Sequence, residues 1–77
     1  MMTKKDEFDQ IEINPAVLGG QPVIKGTRVA VYMIVDAIAE GNTADDILEA
    51  YPFLTKEAVH QALRFASRAS RVGLEEV

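Results

Sequence analysis

The stretch Thr43-Ala44-Asp45-Asp46-Ile47-Leu48-Glu49-Ala50-Tyr51-Pro52-Phe53-Leu54-Thr55-Lys56-Glu57-Ala58-Val59-His60-Gln61-Ala62-Leu63-Arg64 decides the fold, because it carries two helix starts with a stop between them. Thr43 is a fair N-cap, with Asp46 three residues on in the spacing of a capping box. Ile47, Leu48 and Tyr51 supply the apolar side of a short helix, and Pro52 ends it. The second start is stronger. Thr55 caps it, Glu57 suits the positive end of its dipole, and Leu54 is placed to staple onto Val59. This longer helix is predicted over residues 56–72, with Gly73 as its stop. A short helix, a turn over 52–55 and a longer helix match the helix-turn-helix plan.

Upstream, Val31, Ile34, Val35 and Ile38 follow helical spacing, with Met33 and Ala37 widening the apolar face. Gly41 fits the left-handed residue that closes such a helix. Residues 29–39 are nearly all apolar, yet a membrane span needs about 20 such residues and Asp36 interrupts the run. A core helix or a subunit interface is the better reading, with Tyr32, Ile34, Val35 and Ile38 as its candidates. Arg28, just ahead, reads as structural: an edge-strand arginine paired with Glu12 or Asp36, or a buried one fixing the strand-to-helix junction or a subunit contact.

Before that, Ile11-Glu12-Ile13 alternates like a short strand, and Asn14-Pro15 breaks it. Gly19-Gly20 makes a turn; Pro22-Val23-Ile24 and Thr27-Arg28-Val29 read as two short strands around Lys25-Gly26. The expected organisation is a disordered tail over 1–9, one domain over 10–73, and a C-terminal tail over 74–77. The fold class is mainly α: short N-terminal strands or a hairpin, then a three-helix homeodomain-like or winged helix-turn-helix. At 77 residues there is one core, of marginal stability alone. With no cysteine, neither a disulfide framework nor a thiolate metal site is possible. Residues 1–10 are polar and lack the apolar run of a signal peptide, so a cytoplasmic location away from membranes is expected.

The net charge of −4 hides a segregation. Residues 31–50 hold Asp36, Glu40, Asp45, Asp46 and Glu49 with no base, whereas 56–71 hold Lys56, Arg64, Arg68 and Arg71 against Glu57 alone. On the long helix, Val59, Ala62, Leu63, Ala66, Ala69 and Ser70 cluster on one side, opposite His60, Gln61, Arg64, Arg68 and Arg71. The three arginines span about 10 Å of helix, enough to reach adjacent phosphates. Gln61 and Arg64 are types that read adenine and guanine edges. Lys56, His60, Gln61, Arg64, Arg68 and Arg71 are therefore the candidate DNA- or partner-binding residues; the plain alternative is a solvated helix face.

Catalysis finds little support. His60 has no partner at metal-ligand spacing, and the acids of 36–49 have no base or nucleophile arranged with them. Residues 20–27 come near a phosphate-binding loop, but the order is Lys25-Gly26 where Gly-Lys is needed, and Pro22 removes a backbone donor. A non-enzymatic protein without metal or cofactor is expected.

Asn14-Pro15, then Gly19-Gly20-x-Pro22-x-Ile24-x-Gly26-Thr27-Arg28, then Gly41, Ile47, Tyr51-Pro52, Leu54, Ala62-Leu63 and Ala66 together resemble the domain of unknown function 433 family, over about residues 11–66. Gln21, where the family often has a base, and Ala30, where it often has proline, are departures that leave the fold intact. The resemblance implies a homodimeric helix-turn-helix and the antitoxin role of a type II toxin–antitoxin pair. Such an antitoxin would neutralise a PIN-like ribonuclease and repress its own operator DNA, and an arginine could occupy the nuclease's acidic pocket. The alternatives are a stand-alone DNA-binding transcriptional regulator and a structural dimerisation module built on residues 31–39.

Overall fold

The computed structural model describes residues 8–75, with side chains described over 8–70. Its elements are β1 (Ile11–Glu12), β2 (Val23–Ile24), α1 (Val31–Ala39), α2 (Ala44–Ala50) and α3 (Lys56–Glu75). The strands pair antiparallel, Ile11 against Ile24 and Glu12 against Val23, so the expected short N-terminal sheet is present. The second strand expected at 27–29 is not: Val29 only accepts from Ile24 N–H, and the next residue, Ala30, forms an isolated bridge to Val23. The tight turn between them is real. Gly26 takes φ 77°, the positive value a type II turn requires at its third position, and Thr27 N–H closes the turn on the Ile24 carbonyl. Thr27 Oγ1 also donates to that carbonyl and accepts from Val29 N–H. Both donors of Thr27 thus turn back on the chain itself.

α1 begins without a side-chain cap, since Ala30 stands at its N-cap. The donors there are met from elsewhere: Val31 N–H reaches the Pro22 carbonyl at 2.9 Å, and the Met33 sulfur accepts from Ala30 N–H. Its end is local. Gly41 adopts φ 102°, its N–H bonds to Ile38 and that of Asn42 to Ala37, which is a Schellman closure. α2 carries the expected capping box, Thr43 N–H to Asp46 Oδ2 at 2.9 Å and Asp46 N–H to Thr43 Oγ1 at 3.1 Å. Thr55 Oγ1 caps α3 by accepting from Ala58 N–H. α2, the turn and α3 follow one another in helix-turn-helix order, and the strands precede all three helices.

The core lies where α1 and α3 pack together over β2 and α2. Ile24, Val29, Val31, Ile34, Ile47, Leu54, Ala58, Val59 and Ala62 are buried in one cluster. Leu54 and Val59 share it, as the staple requires. α3 differs from expectation at its far end. It runs through Gly73 to Glu75, because glycine inside a helix costs only about 1 kcal/mol and nothing there removes a backbone donor. Ala69 and Ser70, read as buried-side residues, are exposed because the helix outruns the core. Among the described residues no helix is long and apolar enough to cross a membrane.

Ile34 is fully buried, so Ile34→Ala is expected to destabilise by about 2–5 kcal/mol, a large share of a small domain's total. Thr43→Ala removes one exposed cap and should cost about 1 kcal/mol. Urea unfolding with an unchanged m-value checks both, and equal losses would place the stability of α1 outside the core.

The cationic face of the long helix

Four of the expected binding residues stand in a row on α3. Lys56, His60, Arg64 and Arg68 recur every four residues and all are exposed. At 1.5 Å per residue the row is about 18 Å long, drifting slowly round the helix because 3.6 residues make a turn. The Arg71 side chain lies outside the described ones, so its place in the row rests on the sequence alone.

Gln61 does not belong to the row. It is 3% exposed and cannot read a base edge. Its Nε2 donates to Asp9 Oδ1 at 2.9 Å and Glu57 Oε2 at 2.8 Å, and its Oε1 accepts from Gln10 N–H at 2.9 Å. An amide offers two donors and one oxygen, and here all are engaged. The cause is a cover the helical periodicity could not show: residues 8–10 fold across α3. Gln10 is stitched on its other side as well, its carbonyl accepting from Lys25 N–H.

Phe8 and Asp9, counted in the tail expected over 1–9, are therefore held against α3, and residues 1–7 of that expected tail lie outside the described residues. The Phe8 ring meets Phe65 edge-on, with centroids 5.4 Å apart and planes at 81°. The Arg64 and Arg68 guanidinium carbons lie 6.0 and 5.5 Å from the same Phe8 centroid, within cation–π reach. Phe8 is the functional candidate that the sequence reading missed. Its signal was present: one large aromatic in an otherwise charged start.

The expected interface residues divide. Ile34 is core, not surface. Val35 and Ile38 pack partly against that core, while Tyr32 is 55% exposed. Tyr32 and Val35, with Pro22, Phe65, Ala66 and Ala69, line an open apolar groove of about 380 Å³ between α1 and α3. Arg28 is exposed, which corrects the expectation of a buried junction arginine. The turn bonds of Thr27 and the Val31 N–H to Pro22 carbonyl bond fix that junction through the backbone instead. Beyond the row, α2 presents Asp45, Asp46 and Glu49, all exposed. Among the described residues no three His, Asp or Glu side chains gather as a metal site would need.

Because Gln61 holds three partners in a buried place, Gln61→Leu should cost about 1–3 kcal/mol by leaving the Gln10 N–H without an acceptor. Amide exchange at Gln10 should quicken relative to the α1 core; an unchanged rate would mean residues 8–10 are held by other contacts.

The comparisons with known proteins fall on this same framework. An uncharacterized protein of Sinorhizobium fredii (strain NBRC 101917 / NGR234), y4eO, is 42% identical over 53 residues, which are 69% of this chain and 24% of that relative. The chain thus spans about a quarter of that relative's length. A crystal structure at 2.00 Å of a DUF433 member protein from Anabaena variabilis ATCC 29413 is similar with a TM-score of 0.75 and 31% identity, over 86% of this chain and 66% of that one. The family model described as "Protein of unknown function (DUF433)" matches residues 11–66, from β1 through the turns of α3 that carry Gln61 and Arg64, and the chain belongs to that family.

Proposed function

We propose that this domain is a binding protein of antitoxin type, which neutralises a PIN-like ribonuclease by laying the cationic row of α3 against the nuclease's acidic, metal-holding pocket. The supporting observation is the exposed row itself, Lys56, His60, Arg64 and Arg68, set beside a helix that presents acids. Arginine suits such a pocket because its planar fork makes charge-assisted, two-point bonds to carboxylates. Operator DNA is the second partner, favoured by the helix-turn-helix order of α2 and α3. A homodimer would set two such helices one duplex turn apart.

The charge on α2 ranks these two partners. In a docked helix-turn-helix the first helix crosses the phosphate backbone. Here that helix carries Asp45, Asp46 and Glu49 and no base, so it repels phosphates. A carboxylate-lined protein surface that meets α3 away from α2 avoids this repulsion. With Gln61 buried, base reading would also rest on fewer side chains. Protein binding is thus the primary role, and DNA binding the weaker, salt-sensitive one.

Co-expression with the product of the adjacent open reading frame is expected to give a co-purifying complex and to suppress RNA cleavage by that product. Arg64→Ala with Arg68→Ala should weaken the complex by about ten- to a hundredfold, the scale of losing desolvated charge contacts. A nuclease that cleaves equally well with and without this protein sinks the antitoxin reading. Steep salt-dependent binding to promoter duplex, without any protein partner, would move the conclusion to a stand-alone regulator.

A further inference from the structure

Phe8 stands on the cationic row although it lies before residues 11–66, which carry the family match. Its position is set from two sides. Phe65 meets the ring edge-on from α3, and Gln61 grips the next two residues through Asp9 Oδ1 and Gln10 N–H. The ring also has two guanidiniums against it, Arg64 at 6.0 Å and Arg68 at 5.5 Å. Two like charges one helical turn apart repel each other, and long side chains lose rotamer freedom when a partner fixes them. An aromatic surface shared by both cations offsets the repulsion and removes part of that ordering loss before the partner arrives.

We propose that Phe8 is a positioning residue, mounting Arg64 and Arg68 as one preformed pair that meets a pair of carboxylates on a protein partner. This rests on the reading of the α3 row as the docking face, and it gives the N-terminal segment a share in recognition. Carboxylates are the favoured counterpart because docking a duplex through α2 and α3 would also bring the acids of α2 to the phosphate backbone, which a protein partner meeting α3 alone avoids.

The test uses the full chain labelled with 15N. In the wild type, the Nε–Hε resonances of Arg64 and Arg68 should both carry a ring-current shift from Phe8. Phe8→Leu keeps an apolar side chain against Phe65 but removes the π face; it should abolish both shifts while the amide spectrum stays dispersed. Titration with a hexaglutamate peptide should then show affinity reduced by about three- to tenfold in Phe8→Leu and restored to within about twofold in Phe8→Trp. Nε–Hε resonances that keep their wild-type positions in Phe8→Leu, or peptide affinity equal to wild type, overturns the mount.

The double variant Arg64→Ala with Arg68→Ala separates this failure from failure of the docking face. Peptide binding that survives in the double variant overturns the docking face, whereas loss in the double variant with full binding in Phe8→Leu overturns only the role of Phe8. A short duplex of random sequence bound more tightly than the peptide, at the same salt, assigns the pair to phosphates and overturns the carboxylate partner.

Discussion

The carboxamide of Gln61 sits buried on α3 with both its donors and its oxygen engaged, by Asp9, Glu57 and the backbone of Gln10. A polar group in that position without partners would cost several kcal/mol, so the residues that satisfy it are held where they are. From Gln10 the constraint passes on. The Gln10 carbonyl takes the Lys25 N–H, Ile11 pairs with Ile24, and β2 leads through Val31 N–H and the Pro22 carbonyl into the start of α1. One amide on the last helix thereby orders the first residues of the fold, and those residues order the helix that packs back against it.

The same contact shapes the outer surface of α3. Asp9 and Gln10 close the side of the helix on which Gln61 lies, while Lys56, His60, Arg64 and Arg68 stay exposed. Phe8, carried in by the same segment, stands under two of the four. The charge pattern sharpens the consequence. An overall charge of −4 would suggest a protein that avoids polyanions, yet α1 and α2 carry acids and no base, whereas α3 carries Lys56, Arg64, Arg68 and Arg71 against Glu57 and Glu75. At short range a partner meets the local sign, and screening removes the rest within about 8–10 Å.

Local signals in the chain translated directly into structure where the chemistry is local. Thr43 with Asp46, Thr55, and the left-handed Gly41 each act within five residues, so their hydrogen bonds were legible from spacing alone. The glycine at 73 shows the limit of such signals: without a following proline or a competing cap, its weak propensity does not end a helix. Ala30 shows another limit. It offers no cap, and α1 starts there because the carbonyl of Pro22, nine positions before Val31, is brought to the Val31 N–H by the turn at Gly26.

The sequence by itself determined the three helices, the closure of α1 at Gly41, the caps at Thr43 and Thr55, the presence of short strands ahead of the helices and the segregation of acid from base, because periodicity and capping are properties of neighbouring residues. Tertiary structure alone decided which polar residues of α3 face outward. Gln61 and Arg64 lie three positions apart, and their difference comes from residues 8–10, more than fifty positions away, which cover one and leave the other exposed. Burial is a property of whatever else arrives at a surface, and a helical wheel contains only the helix.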